Sequence, residues 1–416
     1  MTGDEVLAFL WYGYLTGMGN LQSIMPAPTT VSECIRSRSL SSLITQGANT
    51  WRLAIESCLG QTTKEIVVPL SGGLDSRAIL AGLLEYVSPG EICTYTFGVP
   101  GTYDFDIGNL VAGVVGTRHC AFDLRSYQYT CDVLIDISRR VDGRTALFHH
   151  APVSKLEEEY GNSSFVFWVG FMGGTLSGSH LAQDDSRTWD QAVSRFLARN
   201  QYCRSMALVP LGSQPSRCLP SSPLDTFHML GYDEQLDFGI RQECYVKPLV
   251  LLSGYEYCTP FLHPEWVHFM LSLPRAYRQS QLLYKEILTS AFPRLFSLPV
   301  KNNHGLPLGA PRWRRQIRRV RLYTRAAVSR LFPTLAYQVN PGVNYIDFDR
   351  GLRERADLKA VVYENIQDLK RRGIVDWIDI DSIWARHQAR RANHADALTL
   401  LASLEINLKA GHGIAQ

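Results

Sequence analysis

The chain has 416 residues, of which 45% are hydrophobic and 19% charged, and its formal net charge is +3. This composition predicts a globular protein with one large domain and appendages or with two domains, and so small a charge does not by itself imply nucleic-acid binding. The nine cysteines are odd in number and form no C-x-x-C pair, which points away from a disulfide framework and from structural zinc. The N-terminal MTGDEVLAFLWYGYL carries acids where a signal peptide carries Lys or Arg, and no run of about 18 apolar residues follows. A cytoplasmic protein with reduced thiols and no membrane span is expected.

In chain order, residues 1–22 predict an amphipathic helix and residues 31–60 carry helical spacing. The first clear strand is Glu65-Ile-Val-Val-Pro-Leu70, followed by Ser71-Gly72-Gly73-Leu74-Asp75-Ser76 and a helical run over Arg77–Tyr86. Strand, glycine turn and helix in that order make a βα unit of a parallel sheet. A second strand over Ile92–Phe97 leads into Gly98-Val-Pro-Gly101, then a helix over Asp104–Gly116 and a strand near His119–Phe122. A fourth apolar run, Ser164–Val169, ends in the glycine-rich Gly170–Gly178. The repeated units predict an α/β fold with a doubly wound parallel sheet, whose ligands sit at the carboxyl ends of the strands. From about residue 189 the periodicity is mostly helical.

The chemistry concentrates at Ser71–Ser76. Two glycines let the backbone turn tightly and point N–H groups into a concavity suited to a polyphosphate. Ser71 and Ser76 add hydroxyls, and the following helix adds the positive end of its dipole. Asp75 would repel phosphate directly, so its expected task is to hold Mg²⁺ that bridges phosphate oxygens. The competing reading is a glycine turn with Asp75 as a helix cap. A Walker A pattern is absent.

Ser71–Ser76 resembles the pyrophosphatase loop of the N-type ATP pyrophosphatases, and specifically that of the asparagine-synthetase family. Three more segments resemble that family in order. They are the acidic helix and histidine of Asp104–His119, the stretch Glu256-Tyr-Cys-Thr-Pro-Phe-Leu-His263 with Leu271–Pro274 after it, and Tyr284-Lys285-Glu-Ile-Leu288. Leu10-Trp-Tyr-Gly-Tyr14 resembles the tail of the glutaminase domain that precedes the synthetase domain. The resemblance implies an adenine nucleotide alpha hydrolase-like fold and the cofactors ATP and Mg²⁺. It implies adenylation of a small-molecule or peptide carboxylate, release of pyrophosphate, and attack by ammonia or an amine. By the same resemblance Ser71, Gly72, Gly73, Leu74, Asp75 and Ser76 cradle phosphate, Phe97, Gly98 and Gly170 contact the nucleotide, and Lys285 and Glu256 are catalytic. Domain expectations are a helical linker over 1–55, an ATP-binding domain over 56–310 and a helical C-terminal region over 311–416.

The chain also departs from the family pattern. No N-terminal cysteine nucleophile is present, so glutamine hydrolysis is not expected and ammonia would come free or from a separate partner. Phe171 stands at the family's acid/base position and Gly174 at an expected Mg²⁺-binding aspartate. Cys258 and His263 replace an arginine and an aspartate. These departures motivate an alternative, a degenerate ATP-binding scaffold or regulator. A cluster of arginines over 312–330, with Trp313 and Tyr323 interleaved, could bind an acidic partner, a membrane surface or RNA, and the last motivates another alternative, a PP-loop enzyme acting on tRNA; the near-neutral overall charge favours a solvated face instead, and nucleic acid is not expected as a partner.

Overall fold

The computed structural model describes residues 1–17, 19–21, 24, 38–150, 153–161, 164–225, 229–331 and 340–412. Five short strands run β1 (Glu65–Pro69), β2 (Ile92–Gly98), β3 (Arg118–Asp123), β4 (Phe165–Trp168) and β5 (Glu256–Cys258). All neighbours are parallel, and the order across the sheet is β3-β2-β1-β4-β5. Side chains of successive residues alternate between two cores, as strand geometry requires. Val67, Cys93, Tyr95 and Phe167 enter one core. Ile66, Val68, Ile92, Val166 and Trp168 enter the other. Both faces are therefore covered, which is why the strands are apolar runs rather than alternating ones.

Five helices frame the sheet: α1 (Gly3–Tyr12), α2 (Leu40–Leu59), α3 (Asp75–Leu83), α4 (Tyr103–Val115) and α5 (Cys131–Arg140). The predicted N-terminal helix is shorter than its periodicity suggested. It opens on a Thr2–Glu5 capping box and stops at Gly13, whose φ is +77°. A Cβ at Gly13 would also lie 2.2 Å from the Tyr202 ring, so glycine is required there twice over. The predicted helix over 31–60 is described from Leu40 onward; residues 31–37 lie outside the described residues. It packs on α3, where Trp51 donates its indole N–H to the Ala78 carbonyl at 3.2 Å.

The C-terminal region is helical, as expected, and its last helix, Ala395–Lys409, is buried along nearly its whole length. It lies in the same core as the buried face of α5. Ser138 donates to Asn407 Oδ1 at 2.6 Å, and the Leu147 N–H donates to Ser403 Oγ at 3.0 Å. The segment 1–55, expected as a linker, contributes Phe9 and Leu10 to that core and Leu43 and Trp51 to the other. The fold is thus the doubly wound α/β sheet that the repeated units predicted. The strand β5 was not anticipated, because three residues carry no period.

Candidate active site at the switch in strand order

From β1 the chain winds outward through β2 and β3, then returns to the other side of β1 with β4 and β5. The carboxyl ends of β1 and β4 therefore flank the point where the winding reverses, which is where doubly wound sheets bind ligands. Ser71–Ser76 follows β1 and Gly170–Gly174 follows β4, so the two glycine-rich stretches meet there. The contact is direct: the Gly174 N–H donates to Asp75 Oδ2 at 2.8 Å. Side chains at Gly170 or Gly173 would lie 2.8 or 2.7 Å from Asp75 atoms. Glycine at these positions is what lets the second stretch close on the first.

Within the loop, Ser71 and Ser76 face each other, with the Ser71 N–H and Oγ both 3.3 Å from Ser76 Oγ. The Gly73 N–H donates to Ser71 Oγ at 3.2 Å. Leu74 caps α3 without a side-chain hydrogen bond, so Asp75 is not the helix cap. Gly72 is pressed against a neighbouring backbone: a Cβ there would sit 2.6 Å from the Tyr103 carbonyl oxygen.

Asp75 also accepts from the Tyr284 hydroxyl at 3.0 Å. Burial pushes its pKa up to about 6, against the pull of the Tyr284 and Gly174 hydrogen bonds and of His180. Among the described residues no group of three or more His, Cys, Asp or Glu could hold a metal ion. Among the described residues Asp75 is the one carboxylate that lines the cavity; a Mg²⁺ ion there would have it as its protein ligand. A single carboxylate suits a metal that arrives with a polyphosphate supplying most of its oxygen ligands, and not a metal held by protein alone.

The cavity beside the loop has a volume of about 590 Å³ and is lined by Ser71, Gly73, Asp75, Ser76, Phe97 and Gly170 at its polar end. It continues into an aromatic chamber formed by Tyr95, Phe167, Phe171, Tyr255 and Tyr257. Phe171, at the position where the resemblance implies an acid, is a buried wall of that chamber. His149 also lines it, in edge contact with Tyr345 at 4.5 Å. Burial lowers the pKa of His149 to about 4 and that of the adjacent His150 to about 3, so both are neutral.

The carboxyl end of β2 is covered from above. Asn344 Nδ2 donates to the Phe97 carbonyl at 2.8 Å, and its Oδ1 accepts from Thr102 at 3.0 Å. Gly98 has a φ of +153°, and a Cβ there would fall 1.9 Å from Asn344 Oδ1. Of the expected nucleotide contacts, Phe97 thus lines the cavity with Asn344 across it, whereas Gly98 is covered by Asn344 and does not line it.

Two expected catalytic residues are placed elsewhere. Glu256 pairs in register with Val166, which pairs with Ile66, five residues before the loop. At about 3.3 Å per residue this is roughly 16 Å down the sheet, away from the carboxyl ends. Its carboxylate is 60% exposed and takes a 2.6 Å ion pair from Lys64. Lys285 lies one residue beyond Tyr284, about 100° round the same helix. Its ammonium donates to the Ser280 carbonyl at 2.7 Å, outside the cavity lining. Burial and the nearby Arg315 lower its pKa.

Lys301, which sequence reading missed, meets the loop through its backbone, while its ammonium is turned to Asp104. Its N–H donates to the Gly72 carbonyl at 2.8 Å, and its ammonium pairs with Asp104 at the start of α4. The turn that delivers it is anchored by Arg77, a buried guanidinium on α3. Arg77 donates to the carbonyls of Leu295 (3.3 Å), Leu298 (3.4 Å) and Pro299 (2.7 Å). The only local signal was the turn-forming Asn302-Asn303-His304-Gly305 after the lysine. From the Asp104–His119 segment, Asp104 faces Lys301, whereas His119 is spent on Thr94 and Asn109 at 2.8 and 3.1 Å.

Residues 50–154 match the family described as asparagine synthase. The matched span runs from α2 through α5 and contains the Ser71–Ser76 loop, Phe97, Gly98 and Asp104. No curated protein matches the chain.

Proposed function

From a chain whose residues 50–154 carry the asparagine synthase domain, we propose an ATP-dependent amide-forming enzyme that adenylates a carboxylate. The observation that carries this reading is the loop Ser71–Ser76 closed on Gly170–Gly174 at the switch in strand order. A substrate carboxylate oxygen would attack the α-phosphorus of ATP, and the bond to pyrophosphate would break. Ammonia or an amine would then attack the acyl carbon, releasing AMP and a proton. Nitrogen would arrive as free ammonia, as an amine, or from a separate ammonia-supplying partner.

Negative charge grows on the departing pyrophosphate, so preorganised donors there lower the barrier most. The hydroxyls of Ser71 and Ser76 and the dipole of α3 would face that charge, with Lys301 at the loop's flank. Mg²⁺ carried in with the nucleotide and held by Asp75 would neutralise phosphate oxygens. The aromatic chamber supports a carboxylate with an apolar or aromatic body, because a small polar acid would leave Tyr95, Phe167 and Tyr257 unfilled.

The second reading, an ATP-binding scaffold without turnover, rests on Phe171 and Gly174, neither of which can move a proton or bind a metal through its side chain. The test is release of AMP and pyrophosphate from ATP over a panel of aromatic and aliphatic carboxylates with ammonium. Asp75→Asn should lower turnover by roughly 10²–10³ while ATP affinity changes far less. Lys285→Ala should have a small effect. A wild type that binds ATP and yields no AMP across the panel makes the scaffold the correct reading.

A further inference from the structure

The helix Arg312–Leu331 takes no part in the chemistry above. Its twenty residues, RWRRQIRRVRLYTRAAVSRL, include no acid. At 100° per residue, Trp313, Ile317 and Val320 fall within a narrow arc, with Tyr323 at its edge. They are 57%, 46%, 60% and 66% exposed. Arg314 and Arg321 run along one side of this stripe, and Arg312 and Arg319 along the other, all exposed. The opposite side is held at Arg318, which donates to the His304 carbonyl at 3.2 Å, while the exposed Arg315 reaches back to the Ala310 carbonyl just ahead of the helix at 3.1 Å. Leu322 is half-buried on that same side. Apolar residues thus face outward between two rows of arginines, with the attached face behind them.

We propose that this helix docks the protein on an anionic lipid surface, lying flat in the interface. Trp313, Ile317 and Val320 would enter the boundary between headgroups and acyl chains, and the flanking arginines would reach lipid phosphates. A tryptophan at the stripe's end suits the interfacial region, where amphipathic rings gather. The helix cannot cross: no helix among the described residues is long and apolar enough to span a membrane. The stripe decides between partners. A nucleic-acid backbone would satisfy the arginines but leave Ile317 and Val320 against charge. A second copy of the helix would set arginines against arginines. An anionic lipid surface offers an apolar interior beneath a negatively charged layer, which matches the stripe and both of its flanking rows.

The experiment is sedimentation of the full chain with phosphatidylcholine vesicles, and with vesicles of phosphatidylcholine and phosphatidylglycerol in equal parts. Binding to the anionic vesicles alone, weakened by salt, is expected. Arg314→Gln/Arg319→Gln/Arg321→Gln should weaken it by roughly a hundred-fold. Ile317→Ser/Val320→Ser should weaken it at least ten-fold, and both variants alter exposed residues only, which circular dichroism would verify. Failure of the wild type to sediment with anionic vesicles overturns the proposal. So does undiminished vesicle binding by the Ile317→Ser/Val320→Ser variant, which would leave charge alone at work. Duplex RNA that binds the helix through its arginines while vesicles do not assigns the surface to nucleic acid instead. None of these outcomes depends on turnover, so the inference stands or falls apart from the amide-forming reading.

Discussion

Gly72 shows how a single missing methyl group builds the site. Its Cα faces the Tyr103 carbonyl so closely that a Cβ would lie 2.6 Å from the oxygen and 3.2 Å from Lys301 Cβ. Gly72→Ala is expected to cost about 1–3 kcal/mol of stability and to lift the loop off α4. Nucleotide affinity, measured by titration calorimetry, should fall with it; unchanged affinity removes the loop from phosphate binding. His149 and His150 make a second residue-scale prediction. Their folded pKa values, about 4 and about 3, lie below the ordinary value near 6.5. The unfolded chain therefore binds more protons between those values, and stability falls as pH drops from about 6.5 toward 4. Melting temperatures of wild type and His149→Gln/His150→Gln across that range test this. A decline equally steep in the variant assigns it to other groups. At this scale the loop was legible, because its whole signature lies within six consecutive residues. Lys301, Tyr284 and Asn344 were not, because each reaches the loop or the end of β2 from more than 180 residues away.

Among the elements, the first four strands were legible from apolar runs bounded by glycine and proline, and helices α3 and α4 from their spacing. The exceptions have local physical causes. Gly13 ends α1 against Tyr202, ten residues before the apolar pattern runs out, and a distant ring leaves no trace in a local window. Glu256 kept its place in an otherwise altered motif, yet it sits at the amino end of β5 rather than the carboxyl end. A strand of three residues gives its ends no sequence signature, so the side of the sheet was unreadable. The connection between α3 and the turn at 295–299 carries a prediction of its own. Arg77→Met would leave three carbonyls, that of the buried Leu295 and those of the half-buried Leu298 and Pro299, without this donor, at a cost of about 3 kcal/mol. It should also loosen Lys301, so urea denaturation and AMP formation should decline together. A large loss of stability with full turnover would separate the anchor from the site.

Over the whole molecule, two cores share one sheet, and the one that takes Val67, Tyr95 and Phe167 is completed by the end of the chain. Asn407 is fully buried, accepting from Ser138 and donating to the Thr145 carbonyl at 3.3 Å. Asn407→Ala leaves both partners unsatisfied and should cost about 2 kcal/mol by chemical denaturation. A cost near zero would mean the helix Ala395–Lys409 is held by apolar packing alone. This region was legible as helical and not as core, since the helix is apolar on nearly every side and no amphipathic stripe marks an orientation.

That placement has a consequence for biosynthesis. Ser138 and Asn407 are 269 residues apart in sequence. A ribosome adding about 5–20 residues per second needs on the order of tens of seconds to cover that distance. Throughout that interval one apolar face of the sheet and the buried side of α5 have emerged while the helix that covers them has not been made. Residues 40–115 supply only part of the other side, whose core also takes Val166, Trp168, Trp266, Tyr284 and Val300. The nascent chain therefore passes through a half-covered state, and its yield in cells should track the holding chaperones present during synthesis more closely than the stability of the finished fold.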